Sequence, residues 1–212
     1  MSVVSDQNKY IYVAGGRCAT HAIEEALLKN TNSFEPATIA PAKYANRHMP
    51  AKFLREVIGE EKWQYFKFSF VRNPYSWVVS IFFRMVQYGT RPAPAGGIMT
   101  MEDFLYVVEH LKSAKGRRND DSHFIRSQHA FLCDKDGELI VDFVGRLESL
   151  NEDFATVCNR IGIEPITLPV RNSSSSSVNW RKHYESNPVS MELVAENWER
   201  DFEHFGYKFE DE

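Results

Sequence analysis

Residues 66–83 read FKFSFVRNPYSWVVSIFF. The stretch changes character at its middle, and that change decides the fold. Tyr65 to Val71, YFKFSFV, alternates and is rich in aromatics, which is the pattern of a β-strand. Asn73-Pro74 breaks it, since proline gives no N–H to a ladder and restricts the residue before it. Tyr75 to Tyr88 then reads as an aromatic-rich helix with proline close to its start, where proline is favoured. Arg72 therefore stands at the end of a strand and Ser80 inside the helix that follows.

The same order occurs upstream. Lys9 to Val13, KYIYV, is a short β-rich run, followed at once by Gly15-Gly16. His21 to Lys29, HAIEEALLK, then places Ala22, Ile23, Ala26 and Leu27 at helical spacing. A strand that enters glycines and then a helix makes an anion site, because the backbone can approach the ligand and the helix start offers amides and partial positive charge. Arg17 adds a guanidinium able to grip a phosphate or sulfate with two N–H groups, and Thr20 adds a hydroxyl. The pattern G-x-x-x-x-G-K-S/T is missing. An ordinary βα turn carrying a surface arginine has the same local signature.

AKFLREVIGEE, after Pro50, reads as a helix between these two units. Downstream, residues 89–99 (GTRPAPAGGIM) form a loop by glycine and proline content. Thr100 to Lys112 opens like a helix capped by Thr100, with Asp103 three residues on. A charged connector, 113–122, follows. Ala130 to Cys133 and Leu139 to Val144 are short apolar runs separated by DKDGE, which has turn chemistry. Asn151 to Ile161 is a helix ending at Gly162. Residues 171–178, RNSSSSSV, are a low-complexity patch, either a mobile loop or a cofactor lid. Ser190 to Phe202 is a final helix. Strands alternating with helices define an α/β fold around a mainly parallel sheet.

The bulk composition fits this reading. The chain has 212 residues, 43% hydrophobic and 13% aromatic, enough for one sizeable core and too apolar for disorder. We expect a single domain over residues 1–212. A net charge of −4 argues against nucleic-acid binding through a broadly basic surface. Cys18, Cys133 and Cys158 are odd in number and lack metal-type spacing, which points to a reducing, cytoplasmic setting with neither disulfide framework nor metal. Met1 to Lys9 is polar and has no signal-peptide core, and no apolar stretch approaches the roughly 20 residues of a membrane span.

On the two phosphate-type segments the chain resembles the sulfotransferases that use 3′-phosphoadenosine 5′-phosphosulfate (PAPS), in particular the carbohydrate-type enzymes and their small bacterial relatives. Their second phosphate-binding element is a strand, then Phe-x-Arg-Asn-Pro, then a helix with serine eight residues after the arginine. Phe70, Arg72, Asn73, Pro74 and Ser80 match it in full. The likeness runs from about Lys9 to Phe209. It includes VDFVGRLESLNEDFATVCNRIGI, then LPVRN with its serines followed by Trp180 and Tyr184, and RDFEHFGYKF at the close. It implies a P-loop-like three-layer α/β fold with a mainly parallel central sheet flanked by helices. It also implies sulfuryl transfer from PAPS to a hydroxyl on a carbohydrate or small molecule, without a metal.

The resemblance also assigns roles. Arg72 and Ser80 would bind the 3′-phosphate. Gly16, Arg17, Cys18, Ala19, Thr20, His21 and Ala22 would line the phosphosulfate loop, and Asn172 and Ser173 the cofactor-side loop. Where the family reads Lys-Thr-Gly-Gly-Thr-Ser, this chain reads Arg17-Cys18-Ala19-Thr20-His21-Ala22. Arginine can stabilise charge on the bridging oxygen but keeps its proton at neutral pH. His48, in NRHMPAKFL, occupies a position where family members carry a general base, and an imidazole can take a hydroxyl proton at neutral pH. His21 is the rival base. Trp180 reads as core. Arg91, Arg117 and Arg118, in the loops that would shape the acceptor pocket, hint at an anionic acceptor. Two other functions fit the same segments: a nucleotide kinase on a P-loop-like fold, and a nonenzymatic nucleotide-binding protein.

Overall fold

A computed structural model describes residues 1–40, 48–113, 127–169 and 179–211. Four strands make one sheet: β1 (Val3–Ser5), β2 (Tyr10–Tyr12), β3 (Phe66–Val71) and β4 (Phe143–Arg146), in that spatial order. β1 runs antiparallel to β2, while β2, β3 and β4 are parallel, with Tyr12 opposite Phe68 and Phe70 opposite Gly145. The fold is α/β with a mostly parallel sheet, as the alternation of strands and helices predicts.

β1 is a departure from the sequence reading, which took residues 1–9 as merely polar. Val3, Val4 and Ser5 are all buried, and Val4 also exchanges backbone hydrogen bonds with Phe34 at 2.8 and 2.9 Å. A three-residue strand carries too short an alternation to stand out from its polar neighbours.

The described helices are α1 (Thr20–Asn30), α2 (Ala51–Trp63), α3 (Pro74–Gln87), α4 (Met101–Ser113), α5 (Gln128–Leu132), α6 (Leu150–Ile161), α7 (Arg181–Glu185), α8 (Val189–Asn197) and α9 (Glu199–Phe205). The residues fall into two compact units. One comprises Met1–Val71 and Arg118–Arg171, and the other Arg72–Arg117 and Asn172–Glu212.

The first unit holds the sheet. Ile11, Tyr12, Val13, Phe68 and Phe70 are buried on both sheet faces, as parallel strands require. Phe68 stacks on Tyr12 with centroids 5.3 Å apart, and Phe70 meets Phe154 of α6 at 6.3 Å. Ser69 is also fully buried, and its hydroxyl donates to the Val13 carbonyl at 2.7 Å. Gly145 is required where it stands: a Cβ there would lie 2.4 Å from the Phe70 ring. Asp153 ties the end of β4 to α6, accepting from Arg146 N and Ser149 Oγ, each at 2.7 Å. Gly162 closes α6 with a φ of 74°.

The second unit is helical. Thr100 and Asp103 cap α4 reciprocally: the Thr100 hydroxyl accepts from Asp103 N at 3.3 Å, and the Asp103 carboxylate accepts from Thr100 N at 2.9 Å. Tyr75 of α3 is ringed by Trp180, Tyr184, Phe202 and Phe209, and Trp180 stacks parallel to it at 6.2 Å. Trp180 is core, as expected. The helix expected over 190–202 is broken at Trp198, whose backbone leaves the helical region (φ −123°). Its buried ring packs edge-on against Trp77 at 5.9 Å, so a core aromatic occupies the turn between α8 and α9.

Candidate functional site

In the first unit, residues 14–19 join β2 to α1. Arg17 and Ala19 both adopt left-handed backbone, with φ of 67° and 53°. Such a conformation in an L-residue costs on the order of 1–2 kcal/mol and persists only where the surroundings impose it. Several contacts impose it here. Gly15 lies so close to β3 that a Cβ would sit 3.1 Å from the Phe70 carbonyl oxygen. The Thr20 hydroxyl donates to the Gly15 carbonyl. Ala14 N donates to Ser2 Oγ at 3.1 Å. Ala19 and Thr20 stand where the family loop carries its two glycines, and the positive φ of Ala19 is the geometry a glycine would take without strain.

The predicted anion ligands divide accordingly. Gly16, Arg17 and Ala19 are half-buried, and His21 is exposed on the first turn of α1. Cys18 is buried, with its thiol turned inward. The Thr20 hydroxyl proton is engaged by Gly15, so its side chain closes the loop. The Ala22 amide donates to Ala19 O at 2.9 Å and its methyl is buried, so Ala22 belongs to the helix turn.

His48 meets this loop. Its Nδ1 lies 3.1 Å from the Ala14 carbonyl oxygen. A carbonyl only accepts, so Nδ1 carries the proton, and in the neutral ring the lone pair then sits on Nε2. The structure thus brings His48 to the residue from which the loop departs. Behind the loop, the Tyr12 phenol is fully buried, and burial pushes its pKa well above the usual range.

In the second unit, Arg72 and Asn73 lead into α3. Asn73 is the N-cap: its side chain accepts from Tyr75 N at 3.1 Å, Pro74 takes the first helical position, and Asn73 Nδ2 donates to Lys208 O at 2.8 Å. Arg72 is half-buried, and its Nε donates to Ser76 Oγ at 2.7 Å. Ser76 in turn donates to Asn73 O at 3.0 Å. Ser80, four residues beyond Ser76 on the same helix face, is fully buried. Ser76 was not singled out from the sequence. The i, i+4 spacing of Arg72, Ser76 and Ser80 was the available signal.

Arg91 does not match the hint of an anionic acceptor. It donates to Asp103 at 3.0 Å and lies over the Tyr106 ring at 4.2 Å, so it braces loop 89–99 against α4. The far end of that loop is held by Met99, whose N–H donates to His183 Nδ1 at 3.1 Å and whose carbonyl accepts from Asn187 at 2.7 Å. Asn172, Ser173, Arg117 and Arg118 lie outside the described residues. Among the described residues no cluster of His, Cys, Asp or Glu could hold a metal ion, and no helix is long and apolar enough to cross a membrane.

A parallel strand that delivers a glycine turn to a helix start, and a second that delivers Arg-Asn-Pro to another, define the P-loop-like α/β class. The profile of the sulfotransferase family matches residues 1–208, and the chain belongs to that family. No curated protein and no solved structure matches it. Family membership makes the protein a transferase of sulfuryl groups.

Proposed function

We propose that the chain, working as one domain, transfers the sulfuryl group of PAPS to a hydroxyl of a carbohydrate or small-molecule acceptor. The observation that carries this reading is the hydrogen bond from His48 Nδ1 to Ala14 O, which sets a base tautomer beside the strained loop. The residue types suit an anion: an arginine beside helix-start amides offers N–H groups to a phosphate or sulfate in each segment.

His48 Nε2 takes the acceptor's hydroxyl proton as the acceptor oxygen forms its bond to sulfur. The bond between sulfur and the bridging oxygen breaks, and Arg17 stabilises the charge that gathers on that oxygen. The product nucleotide leaves as 3′-phosphoadenosine 5′-phosphate. Backbone amides of Gly16 to His21 hold the 5′-phosphosulfate. Arg72, oriented by Ser76, binds the 3′-phosphate, and Ser80 backs it from within α3. The family resemblance assigns Asn172 and Ser173 to nucleotide binding as well. Arg17 keeps its proton, so charge stabilisation is its only contribution to the leaving group.

An acceptor screen with isotopically labelled PAPS tests the reading. Label should move to a carbohydrate or small-molecule alcohol, and His48→Ala should lose that transfer while still binding nucleotide. Nucleotide binding without transfer to any hydroxyl acceptor would instead identify a nonenzymatic binder.

A further inference from the structure

Cys18 sits between the two left-handed residues of the loop and is buried. Its Sγ is 3.3 Å from the Gly16 carbonyl oxygen and 3.4 Å from Oε1 of Gln128. Gln128 is also buried and opens α5, directly after the N-cap Ser127, whose Oγ accepts from Ala130 N at 3.1 Å. A helix distant in sequence thus presents a carboxamide to the interior of the loop. Thr20 and His48 engage the loop's first carbonyls, those of Gly15 and Ala14. The Gln128 contact acts at residue 18, where the backbone passes from one strained residue to the other. A thiol is a weak donor and has two acceptors here. Gln128 links it to another element.

We propose that Gln128 is a positioning residue for the phosphosulfate loop. It accepts from the Cys18 thiol and holds residues 17–19 in their left-handed arrangement without touching the nucleotide. The effect on nucleotide binding rests on the function proposed above; the effect on the loop does not.

Gln128→Met keeps the side-chain length and removes the amide acceptor, and Cys18→Ala removes the donor. In the unliganded protein, amides 16–20 should exchange about twofold faster in Gln128→Met, the low end for one hydrogen bond because the donor is a thiol, with exchange in β3 unchanged. The dissociation constant for 3′-phosphoadenosine 5′-phosphate should rise by about the same factor. The double variant should be no worse than Cys18→Ala alone, because both changes remove one interaction. Unchanged exchange at amides 16–20, or single effects that add in the double variant, would overturn the proposal. If Gln128→Met fails to fold, Gln128→Asn serves in its place, with the amide kept but one methylene short. If the parent protein binds no such nucleotide, the functional reading fails, and hydrogen exchange still decides the role of Gln128.

Discussion

The two phosphate-type segments look alike in sequence and are built differently. The 14–20 loop is held in a strained backbone by contacts from elsewhere: Phe70 behind Gly15, Ser2 and His48 on Ala14, and Gln128 on Cys18. The 72–80 segment is built largely from its own neighbours. Asn73 caps, Pro74 starts the helix, and Ser76 joins Arg72 to the cap, while from a distance the Lys208 carbonyl accepts from Asn73 and Tyr184 donates to the Tyr75 carbonyl. A turn encoded by adjacent residues is less sensitive to change elsewhere in the protein, while a loop imposed by its surroundings loosens when a support is removed.

The largest effect separating the two should come from His48→Ala. Turnover should fall about 10²- to 10⁴-fold, the usual worth of a positioned base, while nucleotide affinity weakens by no more than about fivefold, the worth of the one hydrogen bond lost at Ala14. Steady-state rates set against calorimetric affinity check this, and retained turnover would move the base to His21.

Stability effects come next. Gly15→Ala drives a methyl against the Phe70 carbonyl, which a paired strand cannot move, and should cost about 1–3 kcal/mol. Asn73→Ala should cost about 1–2 kcal/mol through loss of the cap. Denaturant midpoints give both. Supports acting together predict that Gly15→Ala also weakens nucleotide binding by more than its share of stability, whereas Asn73→Ala acts mainly on folding.

Tyr184→Phe should cost about 1 kcal/mol, because the buried phenol donates to the Tyr75 carbonyl at 2.8 Å. Burial holds this phenol well above its usual value of 10.0. The folded protein therefore binds a proton that the unfolded chain releases, and stability should fall as pH rises past about 10. An alkaline unfolding series should show that fall, less steep in Tyr184→Phe. The smallest effect is Ala19→Gly, which relieves left-handed strain but loosens the unfolded chain, for a net gain of less than about 1 kcal/mol.

The same contrast explains what the sequence revealed. Strand β3, its Asn-Pro break and helix α3 were readable because aromatic alternation, proline chemistry and capping act over a few residues. The capping pair Thr100 and Asp103, and the Gly162 stop, were readable for the same reason. Gln128 was not, because nothing in its neighbours says that it faces Cys18. The interruption at Trp198 was hidden because tertiary packing against Trp77 overrides a continuous helical pattern. Left-handed Arg17 and Ala19 were hidden because neither residue type advertises that geometry.

The most direct test of the account is calorimetric titration of 3′-phosphoadenosine 5′-phosphate into the parent protein and into Arg72→Ala, both with EDTA present. The parent should bind saturably without a metal, with affinity at least about tenfold weaker in the variant, the cost of a charge-assisted contact to phosphate. No binding by the parent, or equal affinity in the two proteins, would contradict it.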